Sequence, residues 1–201
     1  MVNHIDNAVV FYHEPTASSS SEMVTELVQY LGESAINSQE AEALLAGIML
    51  DTKNFVLKTG VRTFEAAAFL RKKDANTVVV KRLFSNTINT YKEKYQLVAN
   101  AEIFNNCAVS VAQKEWKDMK LAAAQAADEL LDIQGVRASF VIYPYDGCIN
   151  VSARSLGDVN VQIFMEGLGG GGHQTMAGAQ VKGLDMSETR EKIIEMINNI
   201  V

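Results

Sequence analysis

The chain has 201 residues, 48% of them apolar and 21% charged, the balance of a soluble globular protein with one large domain or two small ones. Its net charge of −6 argues against sequence-blind binding to duplex nucleic acid, which needs a basic face, and leaves room for a nucleotide pocket. No apolar run reaches the ~20 residues of a membrane helix, no secretion signal opens the chain, and Cys107 and Cys148 make no CxxC pair, so a cytoplasmic protein with two free, buried thiols is expected.

Ala8 to Tyr12 is a short apolar, β-rich run and predicts a strand, broken by Glu14-Pro15-Thr16. The serines Ser18 to Ser21 then open an amphipathic helix from Glu22 to Leu31 that Gly32 ends. Ser38 is the expected cap of a second helix, apolar from Ala43 to Leu50 and ending near Asp51; Arg62 or Thr63 opens a third. From Thr77 to Phe104 one apolar stripe (Val80, Phe84, Ile88, Tyr91, Tyr95, Val98) predicts a single long connector helix. Beyond it, strands are expected at Cys107 to Ala112, Ala138 to Tyr143, Cys148 to Ala153 and Ala177 to Val181. Helices are expected at Met119 to Ile133, Asn160 to Glu166 and Ser187 to Ile200, with Gly169 to Gly172 as a loop. Alternating strands and helices predict an α/β fold with a mixed sheet in residues 105–201, joined by a connector (76–104) to a mostly helical piece (1–75).

Gly169-Gly170-Gly171-Gly172-His173 is the strongest chemical feature. A backbone stripped of side chains lets consecutive N–H groups converge into a nest for an anion, and His173 adds a ring donor. A linker is the bland alternative, but helix and strand patterns abut the run closely and it contains no serine. Arg154, at the end of a strand within Ser152-Ala153-Arg154-Ser155, could hold a phosphate bidentately or make a surface salt bridge. Asn160 could face the same anion or simply cap its helix. Asp51 ends an apolar helix, where its charge meets the negative end of the dipole, an arrangement a bound cation would reverse and an Asx turn onto Lys53 would also explain. His4 with Asp6, and His13 with Glu14, are weaker pairs, and no stacking platform for nucleic acid is evident.

Together these residues carry a resemblance. GGGGH followed by Thr175-Met176-Ala177-Gly178 resembles the signature of the DHH-associated domain, the C-terminal half of DHH-superfamily phosphoesterases. Three further stretches resemble the cyclic-di-AMP phosphodiesterase branch of that superfamily: Glu14-Pro15 with Ala17-Ser18-Ser19 and Glu22; Ala46-Gly47 through Asp51-Thr52-Lys53-Asn54-Phe55 and Thr59 to Phe64; and Ser152 to Ser155 with Asn160-Val161-Gln162 and Met165-Glu166. The resemblance covers nearly the whole chain. It implies a truncated DHH domain before the connector and a DHH-associated domain after it. It implies Asp51 as a metal ligand in a two-manganese (Mn2+) site, with Arg154, Gly170, Gly171, Gly172 and His173 on the substrate phosphate and Ser152, Ser155 and Asn160 as further substrate-side candidates. The implied reaction is hydrolysis of cyclic di-AMP to pApA by the cytoplasmic region of a membrane-anchored protein. Its partner is a cyclic or short linear nucleotide, with no membrane contact from this chain and a homodimer as the assembly considered. Alternatives are a nanoRNA or pAp phosphatase of the same superfamily and a metal-free nucleotide-binding module. The family's HxDxD motif, a further aspartate and the DHH motif are absent from this sequence, and His4-Ile5-Asp6 lacks the third member. The chain is therefore expected to be a fragment starting past DHH, nearly inactive alone, because one carboxylate cannot build a Mn2+ site.

Overall fold

Ser19 converts the serine run into a helix start. Its hydroxyl accepts from the Glu22 amide at 3.0 Å, and α1 (Ser20–Gln29) follows. The second helix, α2 (Ser38–Asp51), is capped by Asn37 rather than by the expected Ser38. The Asn37 side-chain Oδ1 accepts from Glu40 N at 3.0 Å and the Glu40 carboxylate accepts from Asn37 N at 2.8 Å, a reciprocal box that serine one residue later cannot complete. Next come α3 (Val61–Lys72), whose Thr63 hydroxyl accepts from Gly60 N at 3.1 Å, and α4 (Thr77–Leu83). These helices seal a small core of Ala41, Leu45, Ile48, Ala66, Leu70, Ala75 and Val80. The computed structural model describes residues 8–32 and 35–200, which divide into two units, one ending at Ser85 and one beginning at Asn86. His4 and Asp6 lie outside the described residues.

Two expectations fail here. Ala8 to Tyr12 is irregular and solvent-exposed, Val9 at 99%, and every described strand belongs to the second unit's sheet. The long connector helix is two helices, α4 and α5 (Ile88–Ala99), and its expected last turn is a strand, β1 (Glu102–Phe104). Thr87 restarts the chain as an N-cap, accepting from Thr90 N at 3.1 Å. The stripe itself is not one packed face: Val80 is buried in the first unit's core and Val98 packs partly against the second's, while Phe84, Ile88, Tyr91 and Tyr95 are exposed.

The second unit is a six-stranded sheet in the order β1-β2-β3-β4-β6-β5, with β2 (Cys107–Val111), β3 (Ala138–Tyr145), β4 (Cys148–Ser155), β5 (Gly171–His173) and β6 (Met176–Val181). Only β2 and β3 run parallel, joined by the crossover helix α6 (Met119–Leu130); the other pairs are antiparallel, so the sheet is mixed as expected. Strand alternation separates two apolar layers. Phe140, Ile142, Val151, Ala153, Ala177 and Ala179 pack with α7 (Val161–Glu166) and α8 (Met186–Ile200). Ala108, Val141 and Tyr143 face the other way, with Leu97 of α5 and the alanines of α6. No helix among the described residues is long and apolar enough to cross a membrane.

Candidate functional site

Helix α6 covers only part of its sheet face. Along β6 burial alternates, with Met176, Gly178 and Gln180 exposed and Ala177, Ala179 and Val181 buried. The register turns this alternation into rows. Arg154 of β4 stands opposite Met176 of β6, which stands opposite His173 of β5. The next row is Ser152, Gly178 and Gly171. Cross-strand partners share a face, so Arg154 and His173 border one open floor whose neighbouring row ends in two glycines.

The glycine run is built differently from the nest read in the sequence. Gly169 N donates to Glu166 O at 3.0 Å and Gly170 N to Met165 O at 2.7 Å, so both amides close the end of α7. Gly171–His173 is the edge strand β5 rather than a loop. A side chain at Gly170 would put Cβ 2.5 Å from Ala179 Cα, and at Gly172 (φ 149°) 2.5 Å from Ala177 Cα. Those two glycines let β5 press against β6. Gly171 is different: a Cβ there would meet nothing within 4 Å. The fold does not require glycine at 171, and its bare backbone faces open space.

The Arg154 side chain is 12% exposed, with Nε 3.2 Å from Asp128 Oδ1 on α6. NH1 donates to Ala153 O at 2.9 Å, whereas Nε is buried without an aligned acceptor. The Asp128 carboxylate balances the buried guanidinium's charge, and an anion in the open floor would add the aligned acceptor that Nε lacks. Asp128 was missed in the sequence; an acidic residue on an alanine-rich helix gives no hint of what crosses the sheet to meet it.

In the first unit, Asp51 is the last residue of α2 and is exposed. The backbone after it is strained, with Lys53, Asn54 and Phe55 at φ 50°, 57° and 66°. Thr52 is fully buried and pins this turn: its hydroxyl donates to Ile48 O at 2.7 Å and accepts from Phe55 N at 3.0 Å. Consecutive left-handed non-glycine residues persist only where the surroundings hold them, and such strain gathers at functional sites. One turn back, Gly47 lets α1 approach; a Cβ there would lie 3.0 Å from Ser21 Cβ. Nearby, Arg62 grips Glu26 through Nε and NH2, both at 2.7 Å, while Tyr12 donates to the same carboxylate at 3.3 Å. The bond from Arg62 holds Glu26 below the usual carboxylate range, and Glu14 is lowered mainly by the Thr16 hydroxyl.

Comparison with known proteins decides the second unit. Residues 104–201 match the DHHA1 domain family. This part of the chain is a DHHA1 domain. Over 199 residues the chain is 44% identical to the cyclic-di-AMP phosphodiesterase GdpP of Geobacillus thermodenitrificans, a match covering 97% of this chain. It is 42% identical over 197 residues to the cyclic-di-AMP phosphodiesterase PdeA of Listeria monocytogenes, covering 96% of it. The chain spans about 30% of the length of each relative. Among solved structures, an exopolyphosphatase-related protein from Bacteroides fragilis superposes with a TM-score of 0.84, covering 99% of this chain and 62% of that one at 20% identity, which supports the fold. The chain thus carries the DHHA1 part of the DHH superfamily.

Within the DHHA1 domain the remaining candidates separate. Ser152 shares the open face, 8% exposed, its hydroxyl 3.5 Å from Tyr143 OH. Ser155 points the other way and is spent structurally, donating to Val159 O at 2.6 Å. Asn160 is the N-cap of α7, its side chain accepting from Gln162 N at 3.1 Å. Cys107 is buried, which pushes its thiol pKa up, while Cys148 is half-buried rather than sealed as expected.

Proposed function

We propose that this chain supplies the substrate-phosphate side of a metal-dependent phosphodiesterase that hydrolyses cyclic di-AMP to pApA. The observation that carries the proposal is the open sheet face where Arg154, whose buried Nε is paired in charge with Asp128 but lacks an aligned acceptor, and His173 share the row next to a glycine that the fold does not need. A phosphoryl group over Gly171 would meet backbone without a Cβ, with the imidazole and the guanidinium both offered from the adjoining row. Arg154 would then supply charge-assisted hydrogen bonds, the strongest kind available to a phosphate. Its attachment to Asp128 presets the guanidinium, so little side-chain entropy remains to be lost on binding.

Manganese is the metal assigned in this reading, with Asp51 as one ligand. Asp51 alone does not fit a two-ion site. Such an ion wants several oxygen or imidazole ligands, and among the described residues no three His, Cys, Asp or Glu side chains gather to hold one. The role assigned to this chain is therefore to bind and orient the nucleotide, in a cytoplasmic setting. With Mn2+ present, this chain alone should release no pApA from cyclic di-AMP. Turnover at the rate of the longer relatives would overturn that assignment. Calorimetry with pApA in the absence of metal tests the phosphate site directly. His173→Ala and Arg154→Ala should each weaken binding about tenfold or more, and undiminished affinity in both variants would place the ligand elsewhere.

A further inference from the structure

The same sheet face has a third row. One step further along the strands, Asn150 of β4 stands opposite Gln180 of β6, and both belong to the side that carries Ser152 and Arg154. Gln180 is exposed and Asn150 half-buried. The rows therefore run from a cationic end (Arg154, His173), across a bare middle (Ser152, Gly178, Gly171), to a carboxamide end. Strand geometry spaces successive rows about 7 Å apart, so the outer two lie about 13 Å apart between Cα atoms.

We infer that Gln180, backed by Asn150, reads the nucleobase of the bound nucleotide and selects adenine. The inference rests on the phosphate-site reading above, which fixes the other end of the ligand. A carboxamide pairs one acceptor with one donor, matching N6–H2 and N7 on adenine's major-groove edge; guanine presents O6 and N7, two acceptors, on that same edge. Asn150 cannot offer the donor half. Its Nδ2 donates to Tyr145 O and to Cys148 O, both at 3.2 Å, which leaves its carbonyl oxygen for the base amine. Those two bonds tie Asn150 to the hairpin, so it acts as a fixed support beside the exposed Gln180. The glycines between leave room for the ribose.

Calorimetry on the full chain with pApA and with pGpG tests this. The unmodified chain should prefer pApA about tenfold or more. Gln180→Glu, which replaces the donor by a second acceptor, and Gln180→Leu, which removes both groups, should each reduce the pApA/pGpG ratio about tenfold. His173→Ala should weaken both ligands alike and leave the ratio unchanged. Gln180 is a surface residue, so thermal unfolding should show these variants folded. No pApA preference in the unmodified chain, or an unchanged ratio in both Gln180 variants while His173→Ala still weakens both ligands, overturns base reading alone. If His173→Ala and Arg154→Ala are both inert, the phosphate site falls and this inference with it.

Discussion

Glycine serves two separable purposes within four positions. At 170 and 172 it makes room for a neighbouring strand, whose backbone lies where a Cβ would go. Backbone cannot step aside as a flexible side chain can, so Gly170→Ala should cost at least about 2 kcal/mol, within the range for overpacking. At 171 there is open space, and the alanine variant should change stability by no more than about 0.5 kcal/mol, as for an unremarkable surface position. Its cost should appear in pApA affinity, because the methyl group would stand where the phosphate approaches. Thermal unfolding paired with calorimetry on the two variants separates these roles. A destabilised Gly171→Ala, or one that binds normally, would mean that the open space serves no ligand. The sequence showed four equal glycines; only the register of β5 on β6 ranks them. Arg154 was likewise legible as a strand-end cation, but Asp128 was not, since nothing in the chain between them encodes their meeting across the sheet.

At the scale of elements, periodicity was reliable where an element packs its own apolar face. The helices α1, α2, α6 and α8 and the strands β2, β3, β4 and β6 all fall where their patterns place them. It failed where a neighbour decides. Strand β5 has no β propensity of its own and exists because β6 lies beside it. Ala8 to Tyr12 has the propensity and pairs with no described strand. The break between α4 and α5 is written in Thr87, a cap that an unbroken apolar stripe hides. The ion pair between α1 and α3 yields a prediction at this scale. Glu26 titrates below its ordinary 4.5 because Arg62 bonds its charged form. A carboxyl lowered in the folded state stabilises above its unfolded pKa, and that stability is lost as pH falls through the lowered value. Glu26→Gln should therefore have a lower melting temperature than the unmodified chain at pH 7. The gap should hold down to about pH 4.5 and close below it. Salt should shrink it too, because the pair is partly exposed. A gap that is flat from pH 7 to pH 3 would show that the link between these helices is not electrostatic.

Across the whole molecule, apolar burial is unequally shared. The first unit closes a core in which alanines stand at 41, 66 and 75, while Leu31, Leu50, Val56 and Phe64 remain exposed. The second unit buries two layers, one on each face of a sheet whose central strands β3 and β4 pair over eight residues. Buried apolar area is the main favourable term in folding, and a segment of this size with a sheet covered by helices satisfies the usual requirements for folding alone. Residues 86–201 expressed by themselves should unfold in one cooperative transition, with the slowest amide exchange in β2, β3 and β4. Arg154, His173, Gly171 and Gln180 all lie in that segment, so it should bind pApA with the affinity of the full chain and the same sensitivity to His173→Ala. Calorimetry and hydrogen exchange on the segment decide the matter. A folded segment that no longer binds would overturn the assignment of the ligand to the face on which the glycines and Arg154 converge.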